Sequence, residues 1–215
     1  MTKRGAVTIV FDDGYKQVYE TVVPMLTKYR IPGVFAVPLD FAAIERSEKR
    51  LVTPWQEWKK IETDGHEIAA HTVSHRNLTT LQDVELDQEL REPEQVLGAT
   101  TVVYPGGAYN EQVVATAQKY YRAGRTVVRG FESFQPADSM RLKSFNFTQK
   151  NFSVWKVNAL ATWAYLTNTW LIETYHMVDD DELMHSVPLS AFKKHLEFIK
   201  RLPIATETIR QHLSL

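Results

Sequence analysis

The chain has 215 residues, is 44% hydrophobic and carries a formal net charge of −1, so it can bury a sizeable core and shows no charge excess for a polyanion such as nucleic acid. It contains no cysteine, which excludes disulfides and thiolate zinc sites and leaves His, Asp and Glu as metal ligands. No segment reads as a membrane span. No signal-type apolar run precedes the first strand, so the sequence as written predicts a soluble, untargeted chain, with an exported protein whose leader was removed as the alternative.

Short apolar runs alternate with longer amphipathic runs along the chain, which predicts repeated strand–helix units. Strands are predicted at 6–11, 33–38, 66–71, 101–105, near 126–128, near 142–147 and at 169–176. Helices are predicted at 15–29, 53–65, 83–98 with Pro93 as a point of kinking, 110–121, 153–166 and 189–201. Repeated units of this kind imply a parallel sheet, and seven or eight of them in one domain spanning 1–215 favour an α/β barrel over an open sheet.

Polar groups follow several of these strands at their carboxyl ends. The first strand ends in Asp12 and Asp13, the third runs into His71 and His75, and a late strand ends in His176. The active site of a parallel barrel lies at the carboxyl ends of its strands, so these side chains are expected to meet there.

The acidic pair and the histidine pair each have two interpretations. An Asp-Gly sequence is a common turn, but two adjacent carboxylates repel each other and are easier to understand beside a cation. His71 and His75 share one face if the backbone there is helical, and both could then bind one metal ion. The alternative is that one of them packs in the core and the other caps a turn. His66 is interpreted as a structural residue of its strand.

Considered together, two histidines and one aspartate form the donor set of a catalytic zinc that keeps positions open for water. The second aspartate can accept the proton of that water. His176 can act as a general acid from the opposite side, although a buried, hydrogen-bonded histidine is the competing interpretation.

Four segments, VTIVFDDG, EIAAHTVSHRNLTTL, VVYPGGAYN and WLIETYH, resemble the successive motifs of the polysaccharide deacetylase family of carbohydrate esterases. They occur in the family's order and cover nearly the whole chain, and the late segment HSVPLSAFKKHLEFIK is also similar. The resemblance implies a deformed, TIM-like (β/α) barrel of about seven parallel strands and a divalent metal, usually zinc.

The resemblance also implies roles for single residues. By motif match, Asp12 is the general base, Asp13, His71 and His75 are the metal ligands, and His176 is the catalytic acid.

The third motif is implied to contact the substrate, an N-acetylated carbohydrate. Its residues Tyr104, Pro105 and Gly106 are the expected substrate-binding positions, with a backbone N–H near Gly106 at the oxyanion.

The chain departs from the family pattern in the third and fourth motifs. Val103 occupies the position of an arginine that orients the base in many members, Gly106 replaces an aromatic residue, and no fourth motif is recognisable in 125–138. Arg125, at the start of the next predicted strand, is expected to replace the missing arginine through a bidentate contact with Asp12. The alternative is that Arg125 is a surface or strand-end charge.

The sequence therefore predicts a metal-dependent hydrolase of linear amide bonds that removes N-acetyl groups from an amino-sugar oligo- or polysaccharide. One alternative is a relative that hydrolyses another amide or ester, such as a cyclic imide or acetylated xylan. The other is a catalytically silent carbohydrate-binding barrel.

Overall fold

A largely parallel sheet forms the centre of the computed structural model, which describes residues 4–180 and 185–215. The strands are β1 Ala6–Phe11, β2 Gly33–Val37, β3 Glu67–Ala70, β4 Thr101–Val103, β5 Ala123–Arg125, β6 Glu132–Ser133, β7 Phe145–Asn146, β8 Thr169–Tyr175, β9 Met177–Val178, β10 Ser186–Val187 and β11 Ala205–Thr206. The α-helices are α1 Val23–Tyr29, α2 Ala42–Glu48, α3 Trp55–Lys60, α4 Asp83–Leu97, α5 Glu111–Ala117, α6 Val154–Thr167, α7 Leu189–Arg201 and α8 Ile209–Leu213. None of the described helices is both long and apolar enough to cross a lipid bilayer.

Seven strands pair in parallel, in the spatial order β5-β4-β3-β2-β1-β8-β7. β6 joins the beginning of β8 in antiparallel fashion, and β11 pairs with the beginning of β1. An isolated bridge between Arg125 and Leu142 links the segment before β7 back to β5. The sheet therefore curls into a deformed (β/α) barrel, which confirms the predicted fold class.

Both faces of the strands are buried, which explains their continuous apolar sequences. The outer face, with Ile9 and Phe11, packs against helix residues such as Trp58 and Phe192. The inner face carries mainly alanine and valine, with Trp170 as a large exception, and α8 adds Ile209 to it. The backbone N–H of Arg210 donates to Glu67 at the start of β3, 2.7 Å away, so α8 covers the amino-terminal end of the barrel. The opposite end is left for the site.

The strand predicted near 126–128 is wrong in position. The strand is β5, three residues earlier, so Arg125 ends a strand and does not begin one. The physical reason is that Val103, the last residue of β4, pairs with Arg125, and no β4 residue remains to pair with the residues that follow. Val127 and Val128 are consequently partly exposed.

Several helix boundaries also differ from the prediction. The segment predicted as one helix at 15–29 is a π-helix at Val18–Val22 followed by α1, because Pro24 cannot donate the backbone hydrogen bond of a regular α-helix. The helix predicted from residue 53 begins at Trp55, and Pro54 is its N-cap. Helix α2 was not predicted, and α4 continues through Pro93.

Candidate active site

A cavity of about 310 Å³ opens at the carboxyl ends of the barrel strands. Its lining includes all five residues that the first, second and last motifs predicted, namely Asp12, Asp13, His71, His75 and His176. Residues from distant parts of the chain meet here because parallel strands direct their carboxyl ends to one side.

The backbone turns sharply between the two aspartates and the helix region that follows. The N–H of Asp12 still bonds the Tyr175 carbonyl at 2.9 Å, as a continuation of the sheet. Asp13 has a φ of 71° and Gly14 a φ of 67°, so the chain enters the left-handed region at once. The two carboxylates therefore face different partners although they are adjacent in sequence.

Asp13 lies against both histidines of the second motif. Its Oδ1 is 3.3 Å from His71 Nε2 and 3.2 Å from His75 Nε2. This oxygen is buried and has no hydrogen-bond partner among the described residues. Burial raises the pKa of Asp13, but the contacts with His71 and His75 and the nearby charge of His176 outweigh it and hold the pKa well below its usual range.

These three residues fit a metal ion. Their ligand atoms all lie within 4.8 Å of one another. Nitrogen and oxygen ligands bound at about 2.0–2.2 Å to one ion are separated by roughly 3.0–3.5 Å, which matches the 3.3 and 3.2 Å from Asp13 Oδ1 to the Nε2 atoms of His71 and His75. A buried carboxylate oxygen that has two imidazole nitrogens within 3.3 Å but no hydrogen bond among the described residues is the arrangement that a divalent cation would complete.

The loop that carries His71 and His75 is not helical, so the geometric reason given for the HxxxH pair is wrong. Thr72 and His75 have φ values of 65° and 57°, and this fold of the loop brings both rings to Asp13. The N–H of His75 donates to Thr72 Oγ1 at 3.1 Å. Glu89 on α4 accepts the backbone N–H groups of Val73 and Ser74, each at 2.9 Å, and also the Ser74 hydroxyl.

Glu89 was missed in the sequence. It is a buried charged residue on the face of α4 that also buries Leu86 and Leu90. A carboxylate on an apolar helix face was the available signal, because a buried charge requires partners.

The second ring nitrogen of His71 is fixed by a hydrogen bond to the backbone. His71 Nδ1 lies 2.8 Å from the Val103 carbonyl, so it is the donor nitrogen and Nε2 is left as a potential ligand.

His66 has the structural role predicted for it. Its Nδ1 accepts the N–H of Gly33 at 3.0 Å, its Nε2 lies 3.2 Å from Thr27 Oγ1, and burial lowers its pKa.

Arg125 contacts Asp12, as expected. The side chain of Arg125 is 0% exposed, and its Nη2 lies 2.6 Å from both carboxylate oxygens of Asp12. The expected two-nitrogen fork is wrong, because Nη2 alone makes the contact. Nε and Nη1 have no hydrogen-bond partner in the part of the chain that the structure describes.

His176 sits beside Asp12 because β1 and β8 pair with Phe11 opposite Tyr175. Its Nε2 is 4.0 Å from Asp12 Oδ2. Its Nδ1 is buried and lacks a hydrogen-bond partner within residues 4–180 and 185–215. His185, which was not predicted, also lines the cavity, with its ring 5.2 Å from that of His176.

The third-motif residues divide between the cavity and the interior. Tyr104 and Gly106 line the cavity, whereas Pro105 is buried outside its lining. The Tyr104 hydroxyl donates to the Met140 carbonyl at 3.1 Å. Gly107 requires glycine, because its φ is 70° and a Cβ atom would come within 2.1 Å of Val127.

The family model described as "Polysaccharide deacetylase" matches residues 1–123, which is more than half of the chain. The chain belongs to the polysaccharide deacetylase family. It is 28% identical over 135 residues to the putative polysaccharide deacetylase YxkH of Bacillus subtilis, covering 59% of this chain and 46% of that protein. It is 29% identical over 127 residues to the peptidoglycan-N-acetylmuramic acid deacetylase PdaA of Bacillus subtilis, covering 55% of this chain and 44% of that one. The chain thus spans less than half the length of these curated relatives.

Solved structures share the polysaccharide deacetylase fold over a larger part of the chain. The chitin deacetylase of the fungus Colletotrichum lindemuthianum aligns with a TM-score of 0.66 and 18% identity, covering 99% of this chain and 88% of that one. A CE4 family pseudoenzyme from Bacillus anthracis aligns with a TM-score of 0.60 and 12% identity, covering 99% of this chain and 66% of that one. An enzyme and a pseudoenzyme share this barrel, so activity must be argued from the side chains of the site.

Proposed function

We propose that this protein is a metal-dependent hydrolase that removes N-acetyl groups from an amino-sugar oligo- or polysaccharide. The observation that carries the proposal is the buried Asp13 Oδ1, which faces the Nε2 atoms of His71 and His75 without a hydrogen bond. A divalent cation at this point would compensate the buried carboxylate and accept the lone pairs of the two imidazoles.

Asp13, His71 and His75 would hold the ion. Their donor set of two nitrogens and one oxygen suits zinc, which supplies a Lewis acid that polarises a carbonyl and lowers the pKa of water. The Val103 carbonyl fixes the ring of His71 through Nδ1 and so keeps Nε2 directed at the site.

Asp12 is proposed as the general base that takes a proton from the attacking water. It is buried beside Asp13 but contacts Arg125, so its negative charge is compensated and its carboxylate is held in one place. The contact uses both carboxylate oxygens, so the free lone pairs of Asp12 are confined to a narrow range of directions.

His176 is proposed as the general acid that protonates the leaving amine. Its Nε2 approaches the cavity from the β8 side, whereas Asp13 and its two histidines lie on the β1 and β3 side. The base and the acid therefore flank the space in which an amide carbon would sit. Gly106 lines that space and can present its backbone N–H to the developing oxyanion.

The substrate class rests on the family and on the names of its relatives. One is named for N-acetylmuramic acid and another for chitin, and both names refer to an amino sugar with an N-acetyl group. An amide with a small acyl group suits a cavity of about 310 Å³ that is lined by Asp12, Asp13 and His176.

The decisive experiment measures acetate release from N-acetylglucosamine oligomers, peptidoglycan fragments and acetylxylan, before and after treatment with a chelator and again after zinc is restored. The proposal predicts release from an amino-sugar substrate that is lost with the chelator and regained with zinc. Release from acetylxylan alone, or opening of a cyclic imide, would favour the related hydrolase instead. Glycan binding without any release would identify a silent barrel.

A further inference from the structure

A second cavity, of about 540 Å³, adjoins the candidate active site. It lies between β7 and the first half of α6. Val127 and Asn146 line both cavities, so the two spaces lie side by side. A chain whose reacting unit sits beside Asp12 and His176 would extend past these two residues into the second cavity. We call this second cavity the α6 groove.

The surface of the α6 groove is aromatic and apolar. Phe145 and Phe147 contribute from the barrel, and Trp155 contributes from the first turn of α6. Trp155 is 78% exposed, so its ring is accessible to a ligand in the groove. Ser153 caps the helix by accepting the N–H of Lys156 at 3.3 Å, which fixes the backbone that carries Trp155.

Polar groups in the α6 groove complement this apolar surface. The buried Oδ1 of Asn146 has no hydrogen-bond partner among the described residues, although it lies where the two cavities meet. A sugar has the matching chemistry, because its ring presents C–H groups to an aromatic face and its hydroxyls and amides donate hydrogen bonds at the edge.

The charge of the α6 groove is positive. Arg129 and Lys156 line it, and the described lining contains no carboxylate. The Arg129 guanidinium lies 5.3 Å from the centre of the Phe145 ring, which holds this charge over the groove. A ligand that carries a carboxylate would complement these two cations.

We propose that the α6 groove binds the sugars next to the one that is deacetylated, and that it selects a glycan bearing a carboxylate in that stretch. This inference rests on the proposed function, because the ligand is assigned to the groove from its position beside the deacetylation site. Trp155 is the stacking platform, Asn146 the hydrogen-bond acceptor, and Arg129 and Lys156 the carboxylate partners.

The first test measures binding of two tetrasaccharides by calorimetry on the zinc-loaded Asp12→Asn background, which leaves the glycans intact. One is the N-acetylglucosamine tetramer, and the other carries a lactyl carboxylate on alternate sugars. Trp155→Ala should weaken binding of the acidic glycan about tenfold, a loss typical of a removed aromatic contact. Trp163→Ala is the matched control, because Trp163 is 55% exposed on the same helix but does not line the groove.

The second test separates charge from stacking. Arg129→Gln and Lys156→Gln should each reduce the preference for the acidic over the neutral tetrasaccharide about fivefold, whereas Lys200→Gln on α7 should leave it unchanged. Equal binding of the acidic glycan by the Trp155→Ala and Trp163→Ala proteins would overturn the proposal that the α6 groove binds the substrate. An unchanged preference in both charge variants would overturn the selection for a carboxylate.

These outcomes are separable from failure of the proposed function. If the wild-type protein releases no acetate but binds the acidic glycan through Trp155, the function is wrong and the groove stands. If the wild-type protein releases acetate while Trp155→Ala binds as tightly as the control, the groove is wrong and the function stands. Self-association that Trp155→Ala abolishes, without glycan binding, would assign this surface to a second copy of the chain and end the proposal.

Discussion

Asp12 and Asp13 are consecutive residues with entirely different surroundings. Asp12 is in contact with the buried cation of Arg125, and Asp13 faces two imidazole rings. The left-handed backbone at Asp13 separates their side chains. Each negative charge therefore has its own neighbouring partners, which offset the repulsion between the two carboxylates. The motif match predicted that the two aspartates have different partners. It did not predict the backbone conformation that separates them.

Replacing Arg125 tests whether it positions the base. Arg125→Ala should lower turnover about a hundredfold, because a base displaced by even 1 Å loses much of its effect, while metal content stays near that of the wild-type protein. It should also lower the free energy of unfolding by about 3–5 kcal/mol, because a buried carboxylate loses its partner. Acetate release, elemental analysis and urea unfolding measure the three quantities.

Arg125→Lys and Arg122→Ala are the controls for that variant. Lysine keeps the charge and should recover part of the turnover and most of the stability, and Arg122 is an exposed residue three positions away on the same segment. Wild-type turnover in a folded Arg125→Ala protein would show that Asp12 needs no orienting cation.

The loop after β3 shows what one helix contributes to the site. His71 and His75 lie on a non-helical loop, and α4 holds this loop through Glu89 and the backbone N–H groups of Val73 and Ser74. The HxxxH spacing predicted a metal pair but attributed it to a helix. Sequence periodicity could not predict the loop, because its geometry depends on positive φ values and on a carboxylate from another element.

Glu89→Gln tests the contribution of α4. The substitution keeps the size of the side chain but removes the negative charge that accepts hydrogen bonds from two N–H groups and a hydroxyl. The loop should therefore hold its histidines less firmly. Zinc affinity, measured by competition with a chromogenic chelator, should fall about 10–100-fold, as is typical when a supporting partner of metal ligands is changed.

Glu92→Gln is the matched control, because Glu92 lies on the same helix and its hydrogen bond to Gln88 is exposed. Equal zinc affinity in the Glu89→Gln and Glu92→Gln proteins would show that the loop holds its shape without α4.

At the scale of the whole molecule, the alternation of apolar runs was enough to predict a parallel (β/α) barrel. The position of β5 was not predictable, because the apolar residues 126–128 have the composition of a strand, whereas the partner strand β4 ends at Val103. The contact between Arg125 and Asp12 joins positions 113 residues apart and follows from closure of the barrel. The sequence suggested this contact only because the arginine of the third motif is missing. Glu89 and His185 depend on tertiary packing in the same way.

We propose that two adjacent aspartates, Asp12 and Asp13, have different roles at one metal-dependent hydrolytic site. The most direct measurement determines metal content and acetate release together for the wild-type, Asp12→Asn and Asp13→Asn proteins. We expect about one divalent ion per chain in the wild-type and Asp12→Asn proteins. Acetate release should fall about 10²–10⁴-fold in Asp12→Asn, and Asp13→Asn should lose both metal and activity. Equal metal loss in the two variants, or full metal content in Asp13→Asn, would show that this division of roles is wrong.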